Sequence, residues 1–118
     1  MALTKEHKEG ITFFRLQTER LDSVTAPHLK AEFLITVNSG EKQVVVDLTR
    51  VKYADSSGLG ALLFGLRQLK EREGDLILTN VNQRINKLIQ IAHLTEQFNC
   101  CTDEIEAIAV FQNNLVSS

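Results

Sequence analysis

The sequence predicts an α/β fold in which a mixed β-sheet of about five strands has four to five helices packed against it, and three observations carry that prediction. The run from Gln43 to Leu48 is Val-rich and continuous rather than alternating, as in a central strand covered by helices on at least one face. Shortly after it, Leu59, Leu62, Leu63, Leu66 and Leu69 recur at helical spacing. Beyond that point strand-like and helix-like segments alternate, which implies parallel strands joined by helical crossovers, while the opening segment reads as an antiparallel hairpin.

Taken in order, residues 3–6 and 11–16 form two strands around the turn His7-Lys8-Glu9-Gly10, with Ile11, Phe13 and Leu16 supplying β-favouring bulk. Asp22, Ser23 and Thr25 are capping types, and Pro27 fits a first helical turn. The helix that follows carries Ala26, Leu29, Phe33 and Val37 on one stripe with Leu34 beside it, and Asn38-Ser39-Gly40 stops it. After the leucine helix, Arg72-Glu73-Gly74-Asp75 reads as a turn, Leu76-Ile77-Leu78-Thr79 as a buried strand, and Asn80-Val81-Asn82 as the cap of a third helix. That helix turns Ile85, Leu88, Ile89 and Ala92 inward. Arg84 and Lys87 fall on its polar side, which reads as a solvated face, with contact to an acidic partner as the alternative. A strand at 97–101 precedes a last helix from about Asp103. There Asp103 and Glu106 have capping-box spacing, Ile105, Ile108, Ala109 and Leu115 are the apolar positions, and Asn113, Asn114, Ser117 and Ser118 suggest a frayed end.

The stretch that organises the rest is Asp55-Ser56-Ser57-Gly58-Leu59-Gly60. Asp55, Ser56 and Ser57 can each accept a hydrogen bond from the free N–H groups of a first helical turn, and sequence does not choose among them. A serine at that end also meets the positive pole of the helix dipole, where a phosphate is well received, so Ser56 and Ser57 are both candidate phosphorylation sites. At roughly 100° per residue, Gly60, Ala61, Phe64 and Gln68 fall near Ser57, on the side expected to face away from the leucine stripe. A bulky Phe64 among Gly, Ala and Gln invites close approach by a protein. Without further information, the same residues are a cap and a tight turn.

With 118 residues and 43% hydrophobic content, the chain suits one domain spanning 1–118 with a sizeable core. A net charge of −2 gives no broad basic field for nucleic acid or an anionic membrane surface. No run reaches the length of apolar residues that spans a bilayer and the first residues lack a secretory hydrophobic segment, so the expected compartment is the cytoplasm. Cys100 and Cys101 are adjacent, so a bond between them would close a strained ring; they read as reduced and structural. Neither they nor His7, His28 and His93 have convergent metal-ligand spacing, and no cofactor is expected. A hydrolase using Ser57 would need a base that the sequence does not place nearby, and it lacks the Gly-x-Ser-x-Gly elbow and the phosphate-binding Gly-rich loop.

Asp55-Ser56-Ser57-Gly58-Leu59-Gly60 resembles the signature of the STAS domain of bacterial anti-sigma factor antagonists. Arg20-Leu21-Asp22 followed by Thr25-Ala26 matches a second part of that pattern. One departure is Glu19, where the family commonly carries Gly. The resemblance extends from end to end and implies the STAS fold. It also implies that Ser57, the second serine, is the phosphorylated residue, that Asp55, Ser56 and Gly58 shape its loop, and that Asp22 lies close by. Asp22, Ser57, Gly60, Ala61 and Phe64 would then contact the partner. By this likeness the chain is a partner-switching regulator of transcription rather than an enzyme. Unmodified, it binds an anti-sigma factor with serine kinase activity; that kinase phosphorylates Ser57 with ATP and releases it, and a serine phosphatase restores it. The alternative from the same resemblance is a module that binds a nucleotide or a lipid near the serine loop, within a regulatory or transport complex.

Overall fold

In the computed structural model, the backbone is described for residues 2–117 and the side chains for residues 2–113. Five strands form the main sheet: Leu3–Lys8 (β1), Ile11–Leu16 (β2), Gln43–Asp47 (β4), Asp75–Thr79 (β6) and Asn99–Cys101 (β7), in the order β1-β2-β4-β6-β7. Arg20–Leu21 (β3) and Tyr53–Ala54 (β5) make a separate parallel pair. The helices are Ala26–Asn38 (α1), Ser56–Lys70 (α2), Gln83–Ile91 (α3) and Glu104–Ser117 (α4). β1 runs antiparallel to β2, and each later neighbour is parallel, because each is reached through a helix.

β4 sits at the middle of the sheet, and its side chains alternate between two cores. Val44 and Val46 join Leu29 and Phe33 of α1, Leu62, Leu66 and Leu69 of α2, and Ile85 and Ile89 of α3. Val45 joins Ile11, Phe13, Ile77, and Ala107 and Phe111 of α4. Both faces of the strand are therefore dry, which is why its sequence reads as an uninterrupted Val run. Arg15 of β2 fastens α4 to its face with two bonds to Glu104, at 2.7 and 2.8 Å.

Several expectations change at the element ends. The opening strand runs through His7 and Lys8, and the turn tightens to Glu9-Gly10, both at positive φ (55° and 76°), the conformation that suits a two-residue hairpin loop. β7 starts at Asn99 because the amides of Gln97 and Phe98 bond back to the carbonyl of Leu94. Ala92 is exposed at the end of α3. On α4 the inward positions are Ala107 and Phe111, with Ile108 half-buried; Ile105, 79% exposed, and Ala109 face water. The Glu106 amide donates to Asp103 Oδ1 as expected (2.9 Å), but the Glu106 carboxylate takes the Thr102 hydroxyl (2.8 Å) instead of closing the box. The expectations at Leu115 and for the side chains of Asn114, Ser117 and Ser118 fall outside the described residues.

Strand β1 is exposed along most of its length, and the ammonium groups of Lys5 and Lys8 lie 5.7 and 5.1 Å from the ring centroids of Phe14 and Phe13. It carries charge along one border of the sheet.

Candidate functional site

The site is built where the chain leaves β4. The segment after Asp47 leads to β5, which pairs with β3 so that Tyr53 stands opposite Arg20 and Ala54 opposite Leu21. The amides of Lys52 and Tyr53 donate to the carbonyl of Glu19 (2.8 and 3.1 Å), and the Asp55 amide donates to that of Leu21 (3.1 Å). Glu19 has no positive φ, so the place where the related pattern carries Gly accepts a side chain here without backbone strain.

Among the three capping candidates, Asp55 does the work: its Oδ1 accepts the Gly58 amide at 3.0 Å. Ser56 and Ser57 are the first two helical residues, both exposed, and neither side chain is used for the cap. Their own amides lie at the start of α2, where the first-turn N–H groups have no intrahelical partner. Gly58 is buried against Leu21, whose carbonyl fills the space a Cβ would take.

Asp22 organises the start of α1. Its Oδ1 accepts the amides of Val24 (3.0 Å) and Thr25 (3.2 Å), while its own amide donates to the Thr25 hydroxyl at 2.8 Å. Thr25, not Asp22, is the residue next to the helix, and it makes no side-chain cap bond. Asp22 and Asp55 line one small cleft of about 150 Å³ together with Arg20, Leu21, Tyr53 and Ala54.

Along α2, Gly60 is exposed and Phe64 half-buried, with the Lys30 ammonium of α1 5.8 Å from its ring centroid. Ala61 corrects the sequence reading, because it is fully buried rather than on the outward face. The leucine stripe alone places the buried side too far round the helix. Helix α1 also covers the arc of Gly58, Ala61 and Gly65, where the Phe33 ring fills the space beside Gly65, and this moves the centre of the buried face by roughly 60°. The outward face that remains is Ser57, Gly60, Arg67 and the open side of Phe64.

Sequence reasoning missed three features beside this loop. Val24 is 83% exposed next to Asp22. Arg20 and Arg84 both place their guanidinium groups over the ring of Tyr53, at 5.1 and 4.6 Å from its centroid. The sequence offered Arg84 as a solvated helix residue, with contact to an acidic partner as the alternative, but could not place it over Tyr53, and two-residue strands leave no periodic signal.

His7 lies at the far end of the sheet, opposite Thr12 in register, with Nδ1 3.2 Å from both Thr12 Oγ1 and Glu41 Oε2. It is therefore not placed to activate Ser57. Both cysteines are free. Burial raises the Cys100 thiol, and burial with the nearby Glu106 carboxylate pushes Cys101 up to about 11, so neither is poised as a nucleophile. Among the described residues no group of three His, Cys, Asp or Glu could hold a metal ion, and no helix is long and apolar enough to cross a membrane.

A Bordetella bronchiseptica protein, BtrV, named as an anti-sigma factor antagonist, is 30% identical over 115 residues, covering 98% of each chain. The anti-sigma-B factor antagonist of Listeria monocytogenes is 35% identical over 77 residues, 64% of this chain and 67% of that protein. The Bacillus cell fate determinant SpoIIAA, solved in its phosphorylated form, superposes with a TM-score of 0.72 at 26% identity, over 93% of this chain and 99% of that one. The model of the STAS domain matches residues 2–107, and with the five-stranded mixed sheet and its four helices this places the chain in the STAS domain family.

Proposed function

We propose that this single STAS domain is an anti-sigma factor antagonist that works by partner switching in the cytoplasm, with Ser57 as the switch. One observation carries the reading: Asp55 caps α2, so the Ser57 hydroxyl stands exposed at the positive end of a helix without being needed to hold that helix together. Phosphorylation there adds about −1.5 to −2 charges. The free first-turn amides stabilise the new charge on the domain itself, so the fold has no reason to change. A protein docked over the loop would have to desolvate that charge beside Asp22 and Asp55, and the complex weakens.

In this reading the unmodified chain binds an anti-sigma factor with serine kinase activity, the kinase transfers phosphate from ATP to Ser57, and a serine phosphatase reverses it. Asp55, Ser56 and Gly58 set the loop. Asp22, Gly60, Phe64 and Val24 are the contact residues around it, and Ala61 acts only from beneath, by letting α1 approach α2. The chain is substrate and ligand, not catalyst. The names of BtrV and the Listeria relative support the same reading. A nucleotide or lipid at the serine loop is less well supported, since the cleft there, about 150 Å³, is smaller than the roughly 300–1,000 Å³ of a small-molecule site.

The test is capture of the kinase from native cells by Ser57→Ala and Ser57→Asp. Ser57→Ala is expected to retain it and Ser57→Asp to bind at least about tenfold more weakly, roughly 1.4 kcal/mol. Phosphopeptide mapping with the captured kinase and ATP should label Ser57. Label that persists in Ser57→Ala would sink the assignment.

A further inference from the structure

Arg20, Tyr53 and Arg84 come from three elements and meet beside the serine loop. Arg20 and Tyr53 are register partners in the β3–β5 pair. Asn82, whose Oδ1 caps α3 by accepting the Ile85 amide (2.8 Å), also donates through Nδ2 to the carbonyl of Val51 (3.0 Å). That bond sets the first turn of α3 against the segment entering β5 and brings Arg84 over the ring. The two guanidinium groups, 5.1 and 4.6 Å from one ring centroid, are within roughly 10 Å of each other, about one Debye length. Both arginines are exposed and the ring is 42% exposed.

No ion pair among the described residues holds either of these arginines, although other cations nearby are paired. Arg15 bonds two carboxylates, and Lys52, next to Tyr53, pairs with Glu19 at 3.3 Å. Among the described residues neither Arg20 nor Arg84 has an ion-pair partner. Stacking on an aromatic face fixes a guanidinium plane and leaves its N–H fork free, and that fork matches a carboxylate.

We propose that Arg20, Tyr53 and Arg84 form a docking shelf for a carboxylate-bearing segment of the partner protein. The identification of that partner rests on the partner-switch reading. A protein carboxylate fits better than a nucleic acid backbone for two reasons. The chain has a net charge of −2, and Asp22 and Asp55 line the same cleft as Arg20 and Tyr53, so a polyanion with a charge on every unit is repelled where one or two carboxylates are held. The shelf also gives the switch its leverage: the acidic segment that two arginines attract is the segment that a phosphate on Ser57 repels.

The chain contains one Tyr and no Trp, so its intrinsic tyrosine emission reports on the shelf alone. A short peptide carrying two glutamates among glycines is expected to change that emission saturably in the wild type, and its lysine counterpart, inorganic phosphate and single-stranded oligonucleotide are expected not to. The Arg20→Gln/Arg84→Gln double variant should lose the response while keeping its melting temperature. With the purified kinase captured through Ser57→Ala, Arg20→Glu/Arg84→Glu should slow association at least tenfold at low salt. Emission unmoved by the glutamate peptide, moved equally in the double variant, or moved only by phosphate or oligonucleotide overturns the shelf. A complex that phosphorylation breaks but charge reversal leaves untouched overturns the shelf and leaves the Ser57 switch standing. A response to the glutamate peptide in a chain that captures no partner through Ser57 supports the shelf and overturns the switch.

Discussion

The carbonyl oxygen of Leu21 occupies the space that a Cβ on Gly58 would need, and the same carbonyl accepts the amide of Asp55 at 3.1 Å. The first turn of α2 is therefore seated directly on β3, and this contact carries the serine loop on a rigid base.

Gly58→Ala tests that seat. The clash is with backbone rather than with the far end of a flexible side chain, so the expected loss is about 3 kcal/mol, the upper part of the usual range for overpacking. Chemical denaturation measures it. Kinase binding should fall with it, since Ser57 moves with the loop.

Two other glycines of α2 should respond in opposite ways. Gly60 has open space where a Cβ would stand, so Gly60→Ala removes a helix-interior glycine and stabilises the fold by about 0.5–1 kcal/mol. Gly65→Ala drives a methyl into the buried Phe33 ring and is expected to destabilise by about 1–3 kcal/mol. Phe33→Leu in the same chain should recover part of that loss. Thermal melts of the three variants decide the order, and Gly60→Ala separately reports on docking, because its methyl points outward.

Arg15 links stability to pH. Its hydrogen bond to Glu6, helped by the charge of Lys8, holds the Glu6 carboxyl below the ordinary glutamate range. A carboxyl depressed in the folded state contributes stability above its unfolded pKa and loses it as pH falls through the folded one. Melting temperature should therefore decline with acidification across that window. Arg15→Gln should show a shallower decline attributable to Glu6 and a lower melting temperature at neutral pH, because Glu104 loses its partner as well.

Alkylation by iodoacetamide should leave Cys101 slow at neutral pH, with a rate that rises to a midpoint near pH 11 as read by peptide mass spectrometry. Glu106→Gln removes a nearby negative charge and should shift that midpoint downward. Burial remains, so the midpoint should stay above that of an ordinary thiol.

The strands β2, β4 and β6 and the helices were legible because each carries a long run or stripe of apolar residues, and the Asp-Ser-Ser-Gly loop announced its helix by composition. What stayed hidden depends on packing between elements. Ala61 looked outward because a stripe of leucines records which residues are largest, while the buried arc of α2 is set by two neighbours, the sheet and α1. Ile105 looked inward because α4 offers Ile, Ala and Val at several rotations, and only the sheet's far face, with Ile11, Phe13, Val45 and Ile77, selects Ala107 and Phe111. Arg20, Tyr53 and Arg84 lie far apart in sequence: Arg20 read only as part of the family pattern and Arg84 as a solvated helix residue with an acidic partner as the alternative, and nothing in the sequence joined either to Tyr53. Asp55 could not be separated from Ser56 and Ser57 as the cap until the Gly58 amide was seen to point at it.

The border strand β1 has one further effect. With Lys5, Glu6 and Lys8 exposed along it, a second chain adding to that margin would have to strip hydration from charged side chains before gaining any backbone bonds. Pairing of a second copy along this edge of the sheet is thereby disfavoured.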